Sequence, residues 1–334
     1  MTKVFLTGAS GFIAKHILRE LLEKGYQVRA SVRSEKRQSE LEALFPTASL
    51  EFAFLDLTRD KGWDAAMAGC DVLIHTASPF PMADPKDPEE LIRPAVDGTL
   101  RAMKAAKVAG IQRVILTSSN AAIYKQADKP ADQQSDETNW TTPDHPSVGA
   151  YEASKTLAER AAWDYVAENP DIALTTINPG GVFGPPMDGR FGTSLDIVKR
   201  LMSGRDPFAP PMELPLVDVR DVAMMHVAAI DLEAAKGERF SATSQTLRFI
   251  EIADVLREWD PSLKIAKSEA PIWLMRLLAL FMAELQPVLA NIGRNLSVSG
   301  AKAERVFGFE FIPVKDAIIA SAEAVKAYRN APRS

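Results

Sequence analysis

The chain has 334 residues, of which 46% are hydrophobic and 25% are charged, and these values are ordinary for a globular protein with a sizeable core. Its length suits one large domain together with a smaller one. The formal net charge of -5 argues against a nucleic-acid-binding protein, which needs a basic stripe on its surface.

Apolar β-type runs alternate with helical patterns along the first half of the chain. This alternation predicts an α/β fold with a doubly wound parallel sheet and helices on both of its faces. The predicted strands are Val4–Leu6, Val28–Val32, Leu50–Leu55, Val72–Ile74, Arg113–Leu116 and Ala173–Ile177, and the predicted helices are Phe12–Glu23, Glu89–Val108 and Ala150–Glu168.

The composition changes after Pro179. Glycine and proline cluster from Gly180 to Gly192, and shorter strands and helices follow to the C-terminus. We therefore expect a large domain over residues 1–179, to which some later segments return, and a smaller α/β lobe over residues 180–330.

Targeting, membrane and metal signals are weak. The N-terminus begins a strand almost at once, which leaves no room for a signal peptide. Cys70 is the only cysteine and the four histidines are far apart, so we expect neither a disulfide nor a metal site. The apolar stretch from Ile272 to Ile292 contains Arg276, Glu284 and Pro287. It predicts two core-facing helices broken at Pro287 in a cytoplasmic protein, with an interfacial membrane helix as the alternative.

A glycine-rich turn joins the first predicted strand to the first helix, in the sequence Thr7-Gly8-Ala9-Ser10-Gly11-Phe12-Ile13-Ala14. Gly8 permits the tight turn, and Gly11 lets backbone N–H groups approach a pyrophosphate at the positive end of the helix. Tight turns use glycine in other settings too. Within a strand–turn–helix unit, however, the pattern favours a dinucleotide site.

The end of the second strand distinguishes between nicotinamide cofactors. NAD sites usually place an acidic residue there for the ribose 2′-hydroxyl, whereas this chain has Arg33, followed by Arg37. A guanidinium group matches the oxygens of a 2′-phosphate, so the pattern favours an NADPH site. The alternative is that these arginines form the solvated, cationic start of a helix. Asp56 and Leu57, after the third strand, either contact the adenine or form an ordinary turn.

Tyr151 and Lys155 lie four residues apart, on one face of a predicted helix. Free tyrosine has a pKa of about 10 and is a poor proton shuttle at neutral pH. A nearby ammonium group and an oxidised nicotinamide would lower the pKa of the phenol and suit it to general acid–base catalysis. A tyrosine and a lysine at this spacing often occur together by chance. The prediction of a catalytic pair therefore depends on its position after the glycine turn.

The fifth strand ends in Thr117-Ser118-Ser119-Asn120, at the edge of the sheet where ligands bind. A serine hydroxyl at this edge would hydrogen-bond a substrate carbonyl oxygen, and the alternative is a plain strand-end cap. By position, Ser118 and Ser119 are both candidates.

Together these motifs resemble the extended short-chain dehydrogenases/reductases, and within them the dihydroflavonol 4-reductases, cinnamoyl-CoA reductases and fungal NADPH-dependent methylglyoxal/carbonyl reductases. The likeness is good over residues 1–230 and includes the segments His75–Phe80, Asn178–Pro185 and Val217–Ala223. It implies a seven-stranded Rossmann-type dinucleotide-binding domain over residues 1–179 and a lobe over residues 180–330 that mainly binds substrate.

The resemblance also implies roles for particular residues. Ser119, Tyr151 and Lys155 take the catalytic positions, and Phe80, Asn120 and Gly181 take substrate positions. Besides Tyr151 and Lys155, the expected contacts to NADPH or NADP⁺ are Thr7, Gly8, Ser10, Gly11, Phe12, Ile13, Arg33, Arg37, Asp56, Leu57, Thr76, Ala77, Ser78, Thr117, Pro179, Gly180 and Val182.

The implied reaction is the reduction of an aldehyde or ketone. Hydride leaves C4 of the nicotinamide for the carbonyl carbon, and Tyr151 protonates the alkoxide while Lys155 holds the ribose. The expected partner is a small-molecule carbonyl compound, with no nucleic acid and no membrane span, and the protein is expected to be a monomer or a homodimer.

Two other functions stay open. A nucleotide-sugar epimerase or dehydratase would share the fold, but Ser118 and Ser119 stand where dehydratases carry an acidic pair, and Arg33 disfavours a tightly held NAD. A non-catalytic NADP-sensing protein often lacks the tyrosine or the lysine, and this chain has both.

Overall fold

The computed structural model describes residues 1–79, 85, 87–130, 132–282 and 286–330. Its centre is a seven-stranded sheet in the order β3-β2-β1-β4-β5-β6-β9, and every neighbouring pair is parallel. This confirms the predicted fold class. The strands are β1 Lys3–Thr7, β2 Gln27–Val32, β3 Leu50–Phe54, β4 Val72–His75, β5 Arg113–Thr117, β6 Ala173–Pro179, β7 Gly181–Phe183, β8 Glu213–Asp218, β9 Glu238–Ala242 and β10 Gln245–Arg248.

Helices cover both faces of this sheet because its strands are apolar on both sides. Leu6 and Ile74 face one cluster with α1 and α7, while their neighbours Phe5 and Leu73 face a second cluster with α4 and α5. The helices are α1 Phe12–Glu23, α2 Glu35–Leu44, α3 Trp63–Met67, α4 Glu89–Val108, α5 Ala150–Glu168, α6 Thr193–Leu201, α7 Val219–Ala228, α8 Phe249–Trp259, α9 Ile272–Leu278, α10 Gln286–Asn291, α11 Ala301–Phe307 and α12 Val314–Asn330.

The residues after Pro179 form a second, smaller sheet in the order β10-β8-β7. Helices α6, α8 and α12 pack around it through residues such as Val198, Leu256 and Ile318. Strand β9 instead pairs with β6 at the end of the large sheet. The chain therefore leaves the large domain after β6 and returns to it in α7 and β9.

The apolar stretch Ile272–Ile292 differs from its prediction. It forms α9 and α10, but α10 starts at Gln286, so Pro287 lies in its first turn. A proline is tolerated there, because a backbone N–H in the first turn of a helix has no partner within the helix. Helix α9 is not core-facing, because Met275 is its only buried residue and Trp273 is 67% exposed. Among the described residues, no helix is both long and apolar enough to cross a bilayer.

Candidate active site

The turn between β1 and α1 brings backbone close to the end of β4. Gly8 has a φ of +62°, a left-handed conformation that favours glycine, and a Cβ there would lie 3.1 Å from Ala77 Cα. The Ala9 N–H donates to the Ser31 carbonyl at 3.1 Å, which ties the turn to β2. Gly11 precedes α1 without a side-chain cap, so the positive end of this helix is available to an anion.

A cavity of about 400 Å³ opens beside this turn. Its walls come from the turn, from the end of β2 and from the segments that follow β3 and β4, which is the crevice where open α/β sheets bind ligands. Ten of the predicted cofactor contacts lie in its wall, namely Gly8, Ser10, Gly11, Arg33, Arg37, Asp56, Leu57, Thr76, Ala77 and Ser78.

Cationic side chains surround one end of the cavity. Arg33 is exposed and Arg37 is half-buried. Arg37 donates to Glu40 Oε2 at 3.1 Å. A further cavity residue, Arg190 of the second lobe, forms an ion pair with the other oxygen of Glu40. The arrangement fits an anionic group at this end, because three guanidinium groups outnumber the two nearby carboxylates. Glu40 pairs with Arg37 and Arg190, and Asp56, which lines the cavity, lies within reach of the charge of Arg33.

Thr7, a predicted cofactor contact, does not line the cavity. Its buried hydroxyl accepts from the backbone N–H groups of Thr76 at 3.0 Å and Ala77 at 3.1 Å. It therefore donates to Nδ1 of His75, 2.9 Å away. The hydroxyl holds the β4 end in place and so supports the cavity wall, and its contact with the cofactor stays a prediction.

Phe12, Ile13 and Thr117 also lie outside the lining of this cavity. Phe12 stands edge-on to the His16 ring, with 5.7 Å between ring centroids, and Ile13 packs against the core. The Thr117 hydroxyl lies 2.7 Å from Nε2 of His226, so this side chain is used within the fold.

Tyr151 and Lys155 meet on one face of α5, with Lys155 Nζ 5.8 Å from the centroid of the Tyr151 ring. Burial lowers the pKa of Lys155 to about 8, and the negative charge of Glu159 opposes this effect. Burial raises the pKa of Tyr151, while a hydrogen bond with Ser119 opposes it. In the protein alone, burial therefore outweighs the hydrogen bond with Ser119. The lowering of the phenol pKa by an ammonium group together with an oxidised nicotinamide stays a prediction.

The electrostatics place Lys155 near the end of β4. Burial and the charge of Lys155 lower the pKa of His75 to about 3, and the three residues that follow His75 line the cavity. Tyr151 and Lys155 do not line the cavity themselves, so the effect of Lys155 on His75 is what relates the pair to the crevice.

Two adjacent serines at the end of β5 have different environments. The Ser119 side chain hydrogen-bonds Tyr151 and accepts from the Ala121 N–H at 3.1 Å. Ser118 is buried and donates to Glu159 Oε2 at 2.5 Å. The structure therefore brings Ser119, and not Ser118, to the phenol.

Glu159 is a buried carboxylate that joins α5 to three strands of the large sheet. Besides Ser118 on the β5 end, it accepts hydrogen bonds from Thr176 at 3.0 Å, Asn178 at 2.6 Å and Arg239 at 2.7 Å. Asn178 also donates to the Ser119 carbonyl at 3.2 Å. This network fixes the end of β5, and so the backbone of Ser119, relative to α5.

The residues predicted to contact substrate have mixed outcomes. Phe80 lies outside the described residues. Asn120 is 1% exposed; its amide donates to Thr243 at 2.6 Å and accepts from Ser241 at 3.0 Å. Both amide atoms are thus used inside the protein, and the substrate contact of Asn120 stays a prediction. Gly181 lies in β7 against Leu214 of β8.

The segment after β6 passes between the two sheets. Pro179 pairs with Ala242 of β9, and the Val182 N–H lies 3.2 Å from Ser194 Oγ. A Cβ at Gly180 would collide with the carbonyl oxygen of Pro215, so only glycine allows this close approach of backbones. These contacts hold the predicted nicotinamide segment against the second lobe.

Three residues near the site were not predicted. Glu159 is four residues after Lys155, a spacing that places both on one face of α5, so the sequence carried a signal for it. Tyr124 is close enough to Tyr151 for that phenol to help raise its pKa, although burial is the main cause. Arg190 gave no signal, because no local pattern relates it to β2 or α2.

The parallel sheet, the glycine turn and the tyrosine–lysine pair define the class of extended short-chain dehydrogenases/reductases. Residues 4–242 match the NAD dependent epimerase/dehydratase family, and the chain belongs to this family. The predicted resemblance is thereby confirmed.

Individual relatives agree with this assignment. A cinnamoyl-CoA reductase from Medicago truncatula is 38% identical over 78% of this chain and 82% of its own length. A putative NADPH-dependent methylglyoxal reductase from Candida albicans is 32% identical over 95% of this chain and 96% of its own. The crystal structure of Gre2 from Candida albicans in complex with NADPH superposes with a TM-score of 0.82 at 29% identity, covering 99% of this chain and all (100%) of that one.

Proposed function

We propose that this chain is an NADPH-dependent carbonyl reductase that converts an aldehyde or ketone to the alcohol. The observation that carries the proposal is the grouping of Ser119, Tyr151 and Lys155, with the charge of Lys155 acting on His75. The residues that follow His75 line one cavity together with the glycine turn. The relatives named as NADPH-dependent or as reductases support the same activity.

The cavity fits a 2′-phosphorylated dinucleotide. The α1 N-terminus and the glycine turn suit its pyrophosphate, and Arg33 and Arg37 suit its 2′-phosphate. Asp56 and Leu57 line the wall where the adenine would lie, and Pro179, Gly180 and Val182 would hold the nicotinamide end. When bound, the reduced nicotinamide supplies the hydride.

The protein's own groups manage the proton and the carbonyl oxygen. The raised pKa of Tyr151 keeps the phenol protonated at neutral pH, so it is ready to give its proton to the oxygen during reduction. Ser119, already hydrogen-bonded to the phenol, would steady the same oxygen. The charge of Lys155 stabilises the phenolate that this proton transfer leaves behind.

The second lobe, residues 180–330, would mainly bind the carbonyl substrate, and residues 1–179 with β9 would bind the cofactor. We propose a small-molecule substrate and a monomer or homodimer. A cytoplasmic location is proposed as well, and the single cysteine, buried and unpaired, is compatible with a reducing compartment.

The proposal is tested by following NADPH oxidation with a panel of aldehydes and ketones, using the wild type and Tyr151→Phe. We expect turnover of at least one carbonyl compound by the wild type and a loss in kcat of at least about 100-fold in the variant, because general acid catalysis typically contributes that much. NADPH affinity should stay nearly unchanged. Tyr165→Phe, on the same helix, is the matched control; retained turnover in Tyr151→Phe would refute the assigned role.

A further inference from the structure

A loop of the second lobe crosses the start of α1. This crossing loop, residues 184–192, follows β7 and precedes α6. Lys15, only 2% exposed, forms an ion pair with Asp188 of the loop at 2.5 Å. His16 Nε2 donates to the Pro185 carbonyl at 2.9 Å. The loop is therefore fixed to the helix whose N-terminus faces the cofactor cavity.

Arg190 extends from this loop across the cavity to α2. Its backbone N–H donates to Asp188 Oδ1 at 3.1 Å, and its side chain lines the cavity and pairs with Glu40. Glu40 also accepts from Arg37 at 3.1 Å. One carboxylate thus holds two guanidinium groups, one from each lobe.

The charges at this end of the cavity are not balanced. Arg33, Arg37 and Arg190 carry three positive charges. Glu40 supplies one negative charge, and Asp56, which lines the same cavity within reach of the charge of Arg33, supplies a second. A phosphate monoester carries close to two negative charges at neutral pH and three acceptor oxygens. It would satisfy two guanidinium groups better than a single carboxylate does, because bidentate arginine–phosphate pairs are among the stronger hydrogen-bonded contacts.

We propose that Arg190 is a specificity-determining residue that binds the 2′-phosphate of NADPH together with Arg33 and Arg37. Glu40 holds Arg37 and Arg190 when no cofactor is bound, and the 2′-phosphate then takes its place. The inference rests on the proposed function, which gives Arg33 and Arg37 this ligand. It adds that the second lobe, and not only the large domain, selects NADPH over NADH.

The test measures dissociation constants by titration calorimetry, without turnover. The ligands are NADPH, NADH, adenosine 2′,5′-bisphosphate and ADP, which separate the 2′-phosphate from the pyrophosphate. Arg190→Gln should weaken NADPH and the 2′,5′-bisphosphate roughly tenfold or more, since a hydrogen bond to a charged group contributes that much. Binding of NADH and ADP should change less than twofold. The control Arg205→Gln removes an exposed charge from the same lobe and should change nothing.

Two outcomes would overturn the inference. If Arg190→Gln weakens the binding of NADPH and NADH equally, the arginine contacts the pyrophosphate or only supports the loop. If it weakens the binding of neither cofactor, Arg190 forms no more than a surface ion pair. Arg33→Gln separates this failure from that of the proposed function. If Arg33→Gln discriminates the two cofactors and Arg190→Gln does not, only the present inference fails.

Glu40→Gln provides the second variant. The proposal expects it to tighten NADPH binding about threefold or more, because the competing carboxylate is gone while both arginines remain. Weaker binding would contradict the role of Glu40 as the group that the 2′-phosphate replaces.

Discussion

Burial shifts the pKa values of Tyr151 and Lys155, two of the titratable groups in α5, in opposite directions. It raises the pKa of Tyr151 and lowers the pKa of Lys155 to about 8, so each group is pushed toward its neutral form. Near neutral pH the phenol stays protonated and the lysine stays mostly charged. A site in this state is ready to donate a proton, as carbonyl reduction requires.

The Lys155 pKa predicts a pH dependence. The ammonium group is present below about pH 8 and is lost as the pH rises through that value. We expect kcat/KM for NADPH to decline above about pH 8, because this parameter reports groups in the free enzyme. Steady-state rates between pH 6.5 and 10 check this, and a profile that stays flat up to pH 10 would contradict it.

At the scale of single residues, the sequence was sufficient to predict residues whose role follows from the local geometry of a helix or a turn. Tyr151 and Lys155 are related by helix geometry, and Gly8 by the turn that it permits. The direction of the Asn120 side chain could not be predicted in this way, because the turn after β5 can direct a side chain to either side, and here it points to Ser241 and Thr243. Only the pairing of β6 with β9 brings those partners close.

At the scale of elements, the β1–α1 turn combines strain with close contact. Gly8 and Gly25 have similar left-handed φ values, +62° and +78°. A Cβ at Gly8 would press against Ala77, while one at Gly25 would meet nothing within 4 Å. A comparison of substitutions at the two glycines therefore separates the energetic cost of the left-handed conformation from the cost of displacing Ala77 in the cavity wall.

We expect Gly8→Ala and Gly25→Ala each to lower the free energy of unfolding, since a left-handed conformation costs roughly 1–2 kcal/mol for a residue with a Cβ. Only Gly8→Ala should also weaken NADPH binding, by moving the β4 end. Chemical denaturation and fluorescence titration measure the two effects. Unchanged NADPH affinity in Gly8→Ala would argue against a cofactor site at this turn.

Helix α9 illustrates what an element's apolar pattern leaves undecided. Its composition predicted a core-facing helix, but Leu280 and Phe281, just beyond it, are 75% and 82% exposed. Hydrophobicity indicates that a segment favours burial, and the space available beside α6 and α8 decides how much of it is buried. The predicted strands of the large sheet had no such ambiguity, because helices cover both of its faces.

For the whole molecule, the Lys15–Asp188 pair is one of the contacts that join the crossing loop to the large domain. Lys15 has 2% of its side chain exposed and Asp188 has 30%, so the ammonium group has little access to water. Removal of the carboxylate would leave a buried charge without its partner, which is the costly way to break an ion pair.

We expect Asp188→Asn to lower the free energy of unfolding by about 2 kcal/mol, less than the roughly 3–5 kcal/mol of a fully buried pair. The control Asp206→Asn breaks a more exposed pair with Arg200 and should cost about 1 kcal/mol or less. Urea denaturation of both variants provides the comparison. Equal stability of the two variants would show that the crossing loop is held by its other contacts.

The return of the chain in β9 means that the two lobes are not separable modules. A fragment ending at Pro179 would leave β6 as an edge strand with open backbone groups, which favours aggregation. It would also remove Arg239 from Glu159 and leave that buried carboxylate without the arginine that pairs with it. Engineering that exchanges substrate specificity between relatives must therefore graft loops around β9, and a cut at the apparent boundary would yield an insoluble product.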